Sequence, residues 1–267
     1  MRLDQLVVER GLAATRAEAA RLIMAGRVRI GGERVDKAGR LVRPDAAPLG
    51  LSAASPYVGR GGEKLATALA AFGVTARGRI CLDVGASTGG FTDCLLKMGA
   101  RRVYAVDVGW GQLEASLRSD PRVTLFERVN ARSLTPDRFE EPPSLGAVDV
   151  SFISLEKVLA AVAACLAPDA GSRHPEILAL VKPQFEVGRG RVGKGGVVRD
   201  GERHREVLLR LAAFAGRHGL APRGVVPSPL RGAKGNREFF VYLSVGDTAM
   251  PANALTAAVE AAVGDPT

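Results

Sequence analysis

A short apolar run, Arg79-Ile80-Cys81-Leu82-Asp83-Val84, leads straight into Gly85-Ala86-Ser87-Thr88-Gly89-Gly90. Glycines at that point let backbone approach a ligand at the N-terminus of the next helix. Asp107 comes 24 residues after Asp83, where a carboxylate reaches a ribose diol. A dinucleotide fold wants Gly-x-Gly-x-x-Gly, and the first spacing here is wrong for it. The acid ahead of the turn, Asp83, suits an ammonium and not a pyrophosphate. Both points favour S-adenosylmethionine over a nicotinamide dinucleotide.

A second set of polar residues falls at the ends of predicted elements. Lys64 opens the helix before the first strand, Asp149 and Lys182 end the fourth and fifth strands, and Glu238 begins the last. In an open parallel sheet ligands bind at the carboxyl ends of strands, where Asp149 and Lys182 would meet. The chain uses 30 Arg against 7 Lys. A lysine at an apolar strand end is then either a titratable amine kept for chemistry or half of a buried salt bridge. Gly188 to Lys194 imitates a phosphate-binding P-loop, but Gly195 follows where Ser or Thr would bind magnesium, so that reading fails. The stretch 183–200 reads instead as a basic loop touching phosphate through Arg189, Arg191, Lys194 and Arg199.

These residues need a scaffold that alternates strand and helix. Strands are expected at 79–84, 102–106, 122–126, 146–150, 176–181, 222–227 and 238–245, and helices near 60–72, 91–98, 154–167, 201–218 and 252–263. Such alternation predicts an α/β fold, a parallel sheet with helices on both faces. Ahead of it, residues 1–45 form a small α+β module. Leu3, Leu6, Val7 and Leu12 fall at helical spacing, and Thr15 and Glu18 make a capping box for a second helix. Arg27 to Ile30 alternates as a strand and turns at Gly31-Gly32. The divisions are 1–45, a linker over 46–58, a catalytic domain over 59–250, and a C-terminal helix and tail over 251–267.

The 267 residues are 46% apolar with a net charge of +9, which excludes a disordered chain and favours a polyanionic partner. Residues 1–45 hold ten basic and six acidic side chains, hence +4. Arg10, Arg16, Arg21, Arg27 and Arg29 flank the helix pair and first strand there. Arginine is the better phosphate fork. Cys81, Cys94 and Cys165 lack metal-ligand spacing, so no structural metal and no disulfide framework are expected. The first residues lack an apolar targeting segment, and the longest apolar run, Val158 to Ala167, is half the length of a membrane span. A soluble cytoplasmic monomer is the expectation. A membrane-acting role would need an amphipathic helix, and 252–263 has no basic face.

The first 45 residues resemble the S-four-type RNA-binding domain. The pattern is Arg2-Leu3-Asp4-x-Leu6-Val7-x-x-Arg10-Gly11-Leu12, then Thr15-Arg16 and Leu22-Ile23-x-x-Gly26-x-Val28. Four longer motifs follow: Tyr57-Val58-Gly59-Arg60-Gly61-Gly62-x-Lys64-Leu65, the Asp83–Asp93 turn, Asp149-Val150-Ser151-Phe152-Ile153-Ser154-Leu155, and Val181-Lys182-Pro183-Gln184-Phe185-Glu186. Nearly the whole chain is similar to the TlyA family of bacterial ribosomal RNA 2′-O-methyltransferases, departing at Gly59, where Ser is common, and at Gly201, where Pro is frequent.

The resemblance implies a Rossmann-like class I methyltransferase domain using S-adenosylmethionine on cytidine of 16S or 23S ribosomal RNA, with ribosomal subunits as partners. Lys64, Asp149, Lys182 and Glu238 match the family's catalytic tetrad. Cofactor contacts are expected from Asp83, Gly85, Ala86, Ser87, Thr88, Gly89, Gly90, Phe91, Asp107 and Asn130. RNA contacts are expected from Arg2, Arg10, Arg16, Arg21, Arg27, Arg29, Arg60, Arg189, Arg191 and Lys194. Lys182 would take the hydroxyl proton as general base, with neighbouring Lys64 favouring its neutral form. Asp149 would orient Lys182, and Glu238 would position the hydroxyl or Lys64. The competing expectation is a non-catalytic RNA-binding or ribosome-assembly protein with a vestigial pocket.

Overall fold

A computed structural model describes residues 1–267 apart from 25, 36, 46–47, 52–54, 170, 172–173, 189 and 266–267. The chain divides into two compact units, Met1–Pro56 and Tyr57–Thr267.

The first unit holds α1 (Leu3–Glu9), α2 (Arg16–Met24), β1 (Val28–Ile30), β2 (Glu33–Arg34) and β3 (Leu49–Leu51). Thr15 caps α2 by accepting the Glu18 N–H at 3.1 Å, and the Glu18 carboxylate takes the Ala14 N–H at 2.8 Å. That satisfies two of the donors a helix start leaves open. Leu3, Val7, Ala19, Ile23 and Val28 are fully buried between the helices and the sheet. The strand order is β2-β1-β3, all antiparallel. β3 lies where a linker over 46–58 is expected. Three residues carry too little periodicity to announce a strand, yet Leu49–Leu51 pairs along the open edge of β1.

In the second unit α3 (Gly59–Phe72), β4 (Ile80–Val84), α4 (Gly90–Lys97), β5 (Arg102–Val106), α5 (Ala115–Arg118), β6 (Val123–Phe126) and β7 (Leu145–Val148) come first. Then follow α6 (Leu159–Ala164), β8 (Glu176–Val181), α7 (Pro183–Glu186), α8 (Gly201–Arg217), β9 (Leu220–Pro227), β10 (Phe239–Val245) and α9 (Ala252–Gly264). The helix expected over 154–167 resolves into a 3₁₀ turn at Leu155–Lys157 and the shorter α6.

Seven strands join in the order β6-β5-β4-β7-β8-β10-β9. Their pleat sends alternate side chains to two cores. On β8, Ile177, Ala179 and Val181 enter one core with Val207, Leu211 and Val259, and Leu178 and Leu180 enter the other with Leu65 and Leu95. α9, expected from sequence as a C-terminal helix outside the catalytic domain, packs on β9 and α8 and buries Val259 and Ala262.

The sheet departs from the all-parallel expectation at β10, which runs antiparallel to both neighbours. Residues 228–238 join β9 to β10 with no crossover helix, and a parallel return needs one. The reversal matters for chemistry. It puts the first residues of β10 at the edge where the parallel strands end.

Candidate active site

Four strand ends and one helix converge at that edge. Asp83, the fourth residue of β4, is fully buried and accepts the Thr92 hydroxyl at 2.6 Å through Oδ2. Its Oδ1 is buried without a hydrogen-bond partner among the described residues. Burial pushes the Asp83 carboxyl up to about 7, against the Thr92 hydrogen bond, and Asp149 adds to the upward shift. Gly85 follows at φ +89°, and a Cβ there would stand 2.3 Å from the Asp149 carbonyl oxygen. Only glycine lets the turn pass so close to the neighbouring strand end.

Beyond this turn opens a cavity of about 480 Å³, lined by Gly85, Ser87, Asp107, Asn130, Asp149 and Ser151 among others. A second cavity of about 130 Å³ shares Gly85, Ser87 and Asp149 with it and is also lined by Gly61, Ala86, Thr88, Gly90 and Phe91. Gly89 caps α4 from outside. The Asp107 carboxylate accepts Ser87 N–H at 2.7 Å and Gly109 N–H at 2.6 Å. Each oxygen keeps a second lone pair for a ligand hydroxyl. Asn130 accepts the Arg132 N–H at 3.1 Å, and Phe91 is buried 6.1 Å from the Phe240 ring. A volume in this range suits a small cofactor. The buried acid just ahead of the glycine turn, with one oxygen left without a partner among the described residues, fits a ligand carrying an ammonium, which S-adenosylmethionine does.

The four tetrad residues form two ion pairs. Lys64 Nζ lies 2.5 Å from Glu238 Oε2, with both residues buried. Glu238 comes so close to its own loop that a Cβ on Gly232 would meet its Oε1 at 1.8 Å. Lys182 Nζ lies 2.5 Å from Asp149 Oδ1 and donates to Ser151 Oγ at 2.7 Å. The β8–β10 register sets Phe239 opposite Val181, so Glu238 and Lys182 occupy adjoining positions and the pairs are neighbours. Each ammonium is compensated by its own carboxylate. The arrangement is therefore not a bare pair of like charges.

The expected RNA contacts divide between the units. Arg2 and Arg16 both reach Asp4, Nη2 to Oδ2 at 3.0 and 3.1 Å, and hold its carboxyl down at about 2. Arg10 donates to the Pro44 carbonyl and Arg29 to that of Gly32, while Arg21 is exposed on α2 and Arg27 lies just before β1. In the second unit Arg60 donates to the Arg231 carbonyl at 2.6 Å, and Arg191 pairs with Glu206 at 2.5 Å. Lys194 is exposed, and Arg189 lies outside the described residues.

Ser151, Phe152 and Glu186 stand inside the sequence motifs, but their residue types alone gave them no role. Phe152 is 89% exposed at φ +65°, its ring centroid 5.0 Å from that of Phe185. The buried Glu186 carboxylate accepts Ser154 Oγ at 2.7 Å and Leu155 N–H at 2.8 Å. Ser151, Phe152, Ser154 and Leu155 sit in the Asp149–Leu155 motif and Phe185 and Glu186 in the Val181–Glu186 motif, so the signal was the length of those motifs. Among the described residues no group of three or more His, Cys, Asp or Glu could hold a metal, and no helix is long and apolar enough to cross a membrane.

A doubly wound sheet with a glycine turn, an orphaned acid and an open cavity at its carboxyl edge defines a Rossmann-like class I methyltransferase domain. Residues 57–245 match the model for the FtsJ-like methyltransferases, and residues 1–47 match the S4 domain. The chain belongs to the TlyA family of FtsJ-like methyltransferases. It is 46% identical over 266 residues to the 16S/23S rRNA (cytidine-2′-O)-methyltransferase TlyA of Mycobacterium tuberculosis, covering 99% of this chain and 97% of that one. Hemolysin A of Brachyspira hyodysenteriae is 39% identical over 92% of this chain and 100% of its own length. A solved structure labelled a hemolysin from Streptococcus thermophilus superposes with a TM-score of 0.76 at 42% identity, covering 98% of this chain and 95% of that one.

Proposed function

We propose that this protein methylates the ribose 2′-hydroxyl of a cytidine in 16S or 23S ribosomal RNA, using S-adenosylmethionine, with Lys182 as general base. The observation that carries the reading is the pair of compensated lysines, one of them held by the cavity-lining Asp149, together with the buried Asp83 whose Oδ1 has no hydrogen-bond partner among the described residues. A ribosome-assembly protein needs neither.

A ribose hydroxyl is a poor nucleophile, so the protein must align it and take its proton. S-adenosylmethionine supplies a methyl already activated on a sulfonium. In the transfer the ribose oxygen–methyl bond forms, the sulfur–methyl bond breaks, and the hydroxyl proton passes to Lys182 Nζ in its free-amine form. The Asp149 carboxylate, 2.5 Å away, stabilises the ammonium so produced. Glu238 and Lys64 hold each other in place beside Lys182 through their buried contact. Asp83 would hold the ligand's ammonium, Asp107 its ribose diol. Alignment and proton removal are separable contributions, the second being worth about 10²–10⁴-fold. The basic first unit and the loop over 188–196 supply the grip on RNA.

Lys182→Ala should abolish methyl transfer to ribosomal subunits while cofactor affinity stays near that of the wild type. Turnover at the wild-type rate would overturn the assignment of the base. Mapping 2′-O-methyl marks on ribosomal RNA from cells with and without the gene identifies the nucleotide. If every mark persists, the non-catalytic reading wins.

A further inference from the structure

We propose that Ser151 is a positioning residue for Lys182: its hydroxyl fixes the direction in which the amine points, and Asp149 supplies the opposing charge. The inference rests on Lys182 being the base.

The two partners of Lys182 differ in kind. Asp149 Oδ1 is 2.5 Å from Nζ, yet it is a buried oxygen with no aligned hydrogen bond. Coulomb attraction of that sort depends on distance and hardly on angle. Ser151 Oγ, at 2.7 Å, makes the one hydrogen bond that Lys182 Nζ has among the described residues. Hydrogen bonds weaken steeply off axis. An amine on a four-carbon stem can rotate about its last bond without leaving its ion pair, and only a directional contact stops it. Methyl transfer in line needs the accepting lone pair aimed at one oxygen.

The fold delivers Ser151 to this place by two independent means. Register is one: Val148 of β7 stands opposite Ala179 of β8, and three residues on along both chains Ser151 meets Lys182. The other is a clamp. Glu186, four residues after Lys182, binds Ser154 Oγ and Leu155 N–H. The loop is thus tied to the Lys182–Glu186 segment at both ends. Between the ties Phe152 is held left-handed at φ +65°, a conformation costly for an aromatic residue and kept only where surrounding contacts enforce it. Ser151 itself is open to the cavity, so its hydroxyl is not there to fill a core.

The serine oxygen accepts a bond from Lys182, and a charged donor makes that bond stronger. Its loss therefore favours the free amine. The charged groups bearing on Lys182 are Asp149 at the end of β7 and the Lys64–Glu238 pair from α3 and β10, and the substitution leaves all three in place. Ser151→Ala should lower kcat about tenfold, leave KM for RNA and cofactor affinity unchanged, and move the acid limb of the pH–rate profile to lower pH. Ser151→Thr, which restores the hydroxyl, should return both kcat and the limb toward wild type. An unmoved limb, or a Thr variant no better than Ala, overturns the inference. If Lys182→Ala is inactive while Ser151→Ala keeps the wild-type profile, only the serine role falls. If Lys182→Ala remains active, the underlying mechanism falls with it.

Discussion

The two edges of the seven-stranded sheet both carry buried ion pairs, and they are built to opposite ends. At the amino edge Arg79, 3% exposed, donates to Ser144 Oγ, the Ser144 carbonyl, the Thr75 carbonyl and Glu176. Tyr242 donates to the same Glu176. Each nitrogen of the guanidinium is engaged, and the cluster ties the residues entering β4 and β7 to β8 and β10. At the carboxyl edge the cations are lysines, and Lys182 has one hydrogen bond and one ion pair among the described residues. A guanidinium stays charged at all accessible pH, whereas an ammonium is a point charge that can give up its proton. In a chain of 30 Arg and 7 Lys, the saturated edge uses the abundant cation and the unsaturated edge the rare one. A closed network stabilises. An incomplete one leaves room for a substrate.

The comparison breaks first at Arg79. Replacing it with Met leaves the half-buried Glu176 without its cation, and losing one partner of a buried pair costs up to about 3–5 kcal/mol. Thermal unfolding should show that loss, while kcat per folded molecule at low temperature stays at the wild-type value. A stable Arg79→Met protein, or one that is folded and inactive, would mean the amino edge is not merely structural.

The matching change at the carboxyl edge is Asp149→Asn, where the expected loss is in rate. The Asp149 side chain is 22% exposed against 2% for Arg79, so water offsets part of the missing charge. Turnover should fall about 10²-fold, with the melting temperature nearly unchanged and cofactor affinity retained. Equal losses of stability at the two edges would erase the distinction.

Much of this contrast was legible before the structure, and the rest was not for definite reasons. The glycine turn, Asp83, Lys64, Asp149 and Lys182 lie in long contiguous motifs, and apolar runs marked the strands that end at Asp107 or begin at Glu238. That Asp149 meets Lys182 was expected from the strand ends, but whether Glu238 holds Lys64 or the hydroxyl stayed open, because Lys64 and Glu238 are 174 residues apart and meet only once β10 reverses. Strand direction leaves no trace in periodicity, since alternation looks the same read either way. Ser151 stood in plain view inside a quoted motif, but its partnership with Lys182 depends on the β7–β8 register. β3 had three residues and no pattern.

Asp83, the buried acid ahead of the glycine turn, tests the site through pH. Its folded-state value is raised to about 7 chiefly by burial, so below that pH the ligand-free carboxyl is protonated. A cationic ligand group binds the ionised form, and binding therefore expels a proton. Cofactor affinity should rise by up to about tenfold per pH unit below 7 and level off above it. Near pH 8 it should decline again as an α-amino group loses its own charge, at about 7.7–8.0. Calorimetric titrations from pH 5.5 to 8.5 give the curve directly. Asp83→Asn should bind more weakly and flatten the acid side, and a variant keeping the wild-type slope would place the proton elsewhere.

The smallest effect is expected where arginines face outward and close no network. Arg21 is exposed on α2, unlike Arg16 on the same helix, which bonds Asp4. A phosphate contact from Arg21 is long-range, screened and sequence-independent. Arg21→Ala should weaken RNA binding by only a few-fold at moderate salt and lower the log–log salt slope by about 0.7–0.9. At saturating RNA the methylation rate should not change, because no group at the sheet edge has moved. Arg16→Ala should do more, since it also removes one of the two cations that hold the Asp4 carboxyl at about 2. The acid-side stability of the first unit should then be lost at higher pH. This follows from linkage: a carboxyl with a lowered folded value stabilises above its unfolded pKa and loses that contribution as pH falls through the folded one. Filter binding across salt, with acid unfolding of the same two variants, separates a residue that only grips RNA from one that also holds its own domain together.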